Sequence, residues 1–309
     1  MPEGHPVPVL PPIERASVAA PGAELIAEPA ESRAKRRTKY GVLFWVCVGI
    51  VGAMILLAVL ASVLPIQSPT SLDYQAVNSG PSLHHLLGTD DLGRDLLSRI
   101  IYGSRVSLII GFGSVGIGLL FGGSAGMLAA FRGRGTDGVL NALSFVLLAF
   151  PPILAIMVIE AFWGKTLLKL TLLFALVATP QLFRVVRANT LSFANREFIT
   201  AARSMGATTN RILFKELLPN VLPSAVSFAL IGVAIAIVVE GSLAFLGLSI
   251  SLPTASLGNI INEGAQLYNL QANPYPVLFP SLYIFLLIVS LNLIGDRLRA
   301  SYDTREAKL

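Results

Sequence analysis

The sequence predicts an all-α polytopic membrane protein with six transmembrane helices, and three observations carry that expectation. Only 13% of the 309 residues are charged and 54% are hydrophobic, against about 25% charged in a soluble domain. Six apolar runs approach or exceed the roughly 20 residues that a spanning helix needs. Lys and Arg are also divided unevenly between the segments joining those runs, as membrane topology demands.

Residues 1–40 read as a disordered basic tail, because the first 30 hold seven prolines and no apolar periodicity. Arg33, Lys35, Arg36, Arg37 and Lys39 close that tail. They lie too far along, and the next apolar run is too long, for a signal peptide. Residues 41–64, without a charge, form the first span. Residues 65–105 are an external segment, and residues 106–296 a core of five further spans. The second and third, 106–131 and 139–159, are uncharged, and Pro151 and Pro152 should kink the third. The fourth, 166–183, is the shortest and contains Lys169. The fifth, 217–252, is apolar apart from Glu240, and its membrane part begins near Pro223. Residues 277–295 are the sixth, and 297–309 a second tail.

Placing the N-terminus inside puts 18 of the 23 Lys and Arg on the cytoplasmic side and 5 outside, with none in residues 249–280. Both termini are then cytoplasmic, and the net charge of +5 reflects topology, with no nucleic-acid partner expected. The single cysteine, Cys47, builds neither a disulfide framework nor a zinc site. His5, His84 and His85 make no HExxH pattern. A calcium site from Asp90, Asp91 and Asp95 lacks EF-hand spacing, so no metal is expected. No catalytic group converges with another at membrane depth, and no GxxxxGK[ST] occurs.

Residues 196–220, REFITAARSMGATTNRILFKELLPN, join the fourth and fifth spans. Phe198, Ala201, Ala202 and Met205 recur at helical spacing, Gly206 follows, and Thr208 or Thr209 caps a second helix that Pro219 ends. Ala201 and Ala202 present little side chain, so another protein could approach the backbone. An ordinary interfacial loop explains the same spacing. In residues 85–108, HLLGTDDLGRDLLSRIIYGSRVSL, Thr89 or Asp90 caps a helix with Leu92, Leu96, Ile100 and Ile101 on one face. Asp91, Asp95, Ser98 and Arg99 fall on the other, giving an amphipathic helix on the outer surface. A plain structural connector is the alternative.

These two blocks resemble known ones. The first is similar to the EAA loop of ABC importer permeases, E-A-A-x3-G-x9-I-x-L-P: Ala201, Ala202, Gly206, Leu218 and Pro219 agree. Thr200 stands where Glu is usual and Glu216 where Ile is usual, while Glu197 lies one helical turn earlier. The second resembles the GTDxxGRDxxSR block of the C-type subunit of dipeptide and oligopeptide importers, through Gly88, Thr89, Asp90, Gly93, Arg94, Asp95, Ser98 and Arg99. Residues 240–250 and 292–305 fit the same family, so the resemblance runs from Leu86 to Arg305. It implies a type I ABC importer permease fold and a coupling loop, residues 187–219, docking on an ATPase. It implies a heterodimer with a second permease and two ATPase subunits, or one fused, that bind ATP and Mg. It also implies an extracytoplasmic substrate-binding protein, a bacterial inner membrane, and no cofactor on this chain. The cargo would be peptides, or alternatively haem or a nickel chelate. An ion-coupled transporter would show inverted repeats and several intramembrane charges, and neither is evident.

Two features inside the membrane remain. Gly118, Gly122 and Gly126 allow close helix packing, within the chain or against a sister permease. Glu240, an acid deep in a span, should face the bundle interior, lining a pathway or forming a packing hydrogen bond. Glu160, near an outer helix end, should reach water.

Overall fold

The computed structural model describes residues 41–306. Ten helices occupy them: α1 Val42–Leu60, α2 Leu96–Arg132, α3 Arg134–Ala149, α4 Pro152–Trp163, α5 Leu167–Ala194, α6 Glu197–Ser204, α7 Thr209–Phe245, α8 Leu257–Gly264, α9 Leu267–Ala272 and α10 Tyr275–Glu306. Among the described residues there is no strand, only an isolated bridge between Thr89 and Asp95. Helices α1, α2, α5, α7 and α10 are long and apolar enough to cross a membrane, and the α3–α4 pair makes a sixth crossing if taken as one span. The expected proline kink is there as a break, with the pair bent by 82°. The tail of residues 1–40 lies outside the described residues.

The main core joins α1, α2, α5, α7 and α10 through Ile110, Leu170, Ile237, Leu287 and Leu291, all nearly inaccessible. Helix α1 touches it by one stripe, Phe44, Cys47, Val51, Met54 and Ala58, the spacing of a single helical face. The rest of α1 is bare: 28% of its apolar window is buried, against 56% for α2. Helices α2 and α5 approach most closely, and the glycines at four-residue spacing are the reason. A Cβ on Gly122 would stand 2.2 Å from the Thr179 carbonyl oxygen, and one on Gly126 2.5 Å from that of Phe183. The glycine stripe therefore packs within the chain.

Three sequence expectations need correction. The fourth span is not short: α5 runs for 28 residues, far past Phe183. Pro219 does not end a helix, and neither it nor Pro223 interrupts α7. Both prolines lie within one continuous helix from Thr209 to Phe245. A π-turn, Ile212–Leu217, ends one residue short of Pro219 and includes Lys215, four residues before it. Its wider winding shifts the carbonyl that a proline ring strikes in an α-helix. Finally, the helix expected to start at Thr89 or Asp90 starts at Leu96, capped by Asp95, whose carboxylate accepts the Ser98 N–H at 2.8 Å.

Candidate functional site

At the Leu96 end of α2, residues 69–95 run in turns that bury the polar side chains of His85, Thr89, Asp90, Arg94 and Asp95. Asp90 is 2% exposed. Its Oδ1 accepts the N–H groups of Leu92 and Arg94, both at 2.9 Å. Its Oδ2 accepts Arg94 Nε at 2.7 Å and also Arg99 Nη1. The same two guanidinium groups turn to Glu263 on α8, Arg94 Nη2 donating at 2.8 Å and Arg99 Nη2 standing at 2.7 Å. Asp91 and Glu263 carry α9 as well, since Asn269 donates to the Asp91 carboxylate and the Glu263 carbonyl. Asn273 donates to the Thr89 carbonyl at 2.9 Å, and Thr89 bonds to Ser79 and Ala76. His85 lies between Asp95, at 3.1 Å, and Asp73, at 3.6 Å.

Gly88 and Gly93 make these turns possible. Both have positive φ, 84° and 75°, and a Cβ would fall 2.6 Å from Ser79 O and 2.0 Å from Asp73 O respectively. No other residue tolerates both demands. Every residue of the GTDxxGRDxxSR block therefore has a structural task, including Ser98, whose hydroxyl donates to the Gln67 carbonyl at 2.5 Å. This corrects the amphipathic surface helix. Arg99 is 1% exposed and Ser98 fully buried, so the polar face is enclosed by residues 67–95, α8 and α9. Three carboxylates, Asp90, Asp91 and Glu263, come within 4.8 Å of one another, with two arginines between them. Asp95, taken with Asp90 and Asp91 in the sequence, instead caps α2.

The opposite end is built differently. Helix α6 carries Glu197, Thr200, Ala201 and Ala202, and turns at Gly206 with φ of 78°, where nothing lies within 4 Å of a Cβ position. Thr208 caps α7, its hydroxyl accepting the Arg211 N–H at 3.4 Å. Ile199 and Ala202 are buried against Met127 of α2, Val186 of α5 and Ile212 of α7. Of the residues expected on one apolar face, only Ala202 is buried: Phe198 and Ala201 are exposed, and Met205 is 82% exposed. Leu218 is half-buried and Pro219 exposed. Arg203 lies over the ring of Phe131, 5.0 Å from its centroid, so α6 also touches the end of α2.

Between the two ends lies Glu240, 1% exposed. It accepts hydrogen bonds from Ser107 of α2 at 2.9 Å and Ser249 beyond α7 at 2.7 Å. No Lys or Arg reaches it among the described residues. The acid thus ties α2 to both α7 and the segment after it. Glu160 departs from expectation: it too is 1% exposed, with Lys165 Nζ 3.8 Å away. Pairing within the chain replaces solvation. Sequence reasoning missed Glu263, Asn269, Asn273, Ser107 and Ser249. The only local hint was polar asparagines in a stretch without Lys or Arg.

Long apolar helices around a sparse set of buried polar ties make this a multi-pass membrane protein of the transport-permease class. Residues 118–306 match the family of the binding-protein-dependent transport system inner membrane component, and the chain belongs to it, among the permeases of ABC importers. It is 37% identical over 261 residues to the dipeptide transport system permease protein DppC of Alkalihalophilus pseudofirmus, covering 83% of this chain and 84% of that protein. It is 37% identical to the glutathione transport system permease protein GsiD of Pectobacterium atrosepticum, covering 78% and 80%. The fold matches that of a chain of the methionine ABC transporter MetNI in an inward-facing conformation. The TM-score is 0.56 at 21% identity, over 67% of this chain and 97% of that one. The type I importer permease fold expected from the sequence is the fold observed.

Proposed function

We propose that this chain is a permease subunit that forms, with a second and different permease, the path by which dipeptides or oligopeptides cross a bacterial inner membrane. The observation carrying the cargo is the similarity, at 37% identity over most of both chains, to permeases named for dipeptide and for glutathione. An extracytoplasmic binding protein delivers the peptide. ATP and Mg are bound and ATP is hydrolysed by two ATPase subunits or one fused partner, so this chain carries no enzymatic activity. The segment from Glu197 to Pro219 docks on that ATPase. Its uncovered Phe198, Ala201 and Met205, beside the open turn at Gly206, support this role, because exposed apolar groups on a loop of this kind suit a partner surface. Both termini and the Gly206 turn are cytoplasmic, and the Asp90 cluster faces outward, on the distribution of Lys and Arg.

Inverted vesicles are not needed to test the transport reading. Right-side-out vesicles holding the full importer should accumulate labelled dipeptide only with ATP inside and with the ATPase partner present. Accumulation driven by an ion gradient without that partner would refute the reading. For the topology, a cysteine at position 210 in a chain lacking Cys47 is expected to resist an impermeant thiol reagent until cells are permeabilised. Labelling in intact cells would invert the assignment.

A further inference from the structure

Of the five Lys and Arg on the outer side, four are held by acceptors of this chain. Arg94 and Arg99 are locked to Asp90 and Glu263. Lys165 donates to the Gly247 carbonyl and Lys169 to that of Trp163, each at 2.5 Å. The Arg105 side chain is exposed and makes neither hydrogen bond nor ion pair among the described residues. It stands instead in a cleft of about 270 Å³ between α2, residues 69–70 and residues 253–255. Tyr102, Pro69, Thr70, Pro253 and Thr254 line the cleft with it, and Arg105 is the one charged residue there.

Below Arg105 on α2, Ile109, Gly116, Leu120, Phe121 and Ser124 are exposed, at successive steps of four, seven, four, one and three residues. Two π-turns, Ile109–Gly113 and Leu119–Gly123, widen the winding of α2 along this stretch. The stretch ends in an apolar groove of about 400 Å³ near the Gly206 end, lined by Gly116, Gly123, Ser124, Met127, Phe214 and Leu222 among others. The exposed aliphatic and aromatic side chains of this stretch suit lipid or a partner helix, whereas a free guanidinium set in a cleft at the outer end of α2 suits an anionic solute.

Resting on the peptide-permease reading, we propose that the Arg105 cleft is the outer subsite of the path and holds the C-terminal carboxylate of the peptide. A guanidinium presents parallel N–H donors that match a carboxylate two to two. Tyr102 and the two prolines offer apolar surface to the side chain next to that carboxylate.

The test is uptake by the complete importer of a tripeptide with a free C-terminus and of its C-terminal amide, for wild type, Arg105→Gln and Arg105→Lys. Losing a charge-assisted bond should slow uptake of the free peptide by Arg105→Gln about tenfold, with uptake of the amide unchanged. Arg105→Lys should fall between. Each variant is compared with wild type on the same peptide, so any preference of the binding protein cancels. Equal loss for both peptides, as a contact with a partner protein's carboxylate would produce, overturns the proposal, and so does no loss for either. If wild type does not carry the amide, a peptide with a photoreactive C-terminal residue decides. It should label residues near Arg105 in wild type and not in Arg105→Gln, and labelling indifferent to the substitution overturns the proposal. A wild-type complex that carries neither peptide refutes the peptide reading itself, and this subsite with it.

Discussion

The two ends of this permease handle polar and apolar groups in opposite ways. Around Asp90, buried charges are matched within the chain, and two positive-φ glycines have their space filled by neighbouring carbonyls. Around Gly206 the glycine also has positive φ, but nothing surrounds it, and apolar side chains on α6 are left bare. An end that satisfies its own groups is finished when the chain folds. An end that leaves them uncovered is open to a partner, which the proposed docking of an ATPase would supply. Substitutions should therefore act on stability at one end and on activity at the other.

The largest effect is expected at Arg99. Replacing one partner of a buried ion pair leaves the others uncompensated, at about 3–5 kcal/mol. Arg99→Met should lower the melting temperature of the purified complex steeply, or prevent its assembly. An unchanged melting temperature would mean that the cluster contributes nothing to the fold. Gly206→Val should do the reverse. A β-branched residue resists positive φ at a local cost of about 1–2 kcal/mol, in a turn where its side chain would meet no neighbour. Assembly should persist while ATP hydrolysis no longer yields uptake. Normal uptake at normal expression would remove the docking role of this turn, and lost assembly would erase the contrast between the ends.

Glu240 sharpens the comparison because it lies between them. Its two serine hydroxyls need an acceptor, which Glu240→Gln keeps in part through its amide oxygen and Glu240→Leu removes. Leu should destabilise by about 1–3 kcal/mol, the cost of leaving buried polar groups unsatisfied, and Gln by less. Melting temperatures of the two variants test this order. If both melt like wild type yet transport differently, the carboxylate serves the path and not the packing.

Much of this architecture was legible in the sequence because it depends on neighbours along the chain. Apolar run length marked the helices, Gly206 its left-handed turn, Thr208 its cap, and the Gly118–Gly122–Gly126 spacing a close helix pair. What escaped was set by distant partners. The polar face of residues 90–99 looks solvent-directed until Glu263, far along the chain, comes across to meet it. Pro219 reads as a helix end because a π-turn leaves no mark in composition. Phe198, Ala201, Ala202 and Met205 recur at helical spacing, but periodicity does not tell which of them the chain itself buries: Ala202 is, and the other three are not.

The unbroken course of α7 has a mechanical consequence. From Thr209 to Glu240 the helix extends roughly 45 Å, past two prolines, with one wide turn at Ile212–Leu217 as its softest place. A stiff strut of that length does not dissipate a push at its foot. Under the proposed docking of an ATPase at the Gly206 corner, a displacement there would arrive at the far end as tilt, where the Ser107–Glu240–Ser249 ties would hand it to α2. Stroke and fulcrum would then belong to a single helix, and the compliance of its first two turns would set how much of the stroke is delivered.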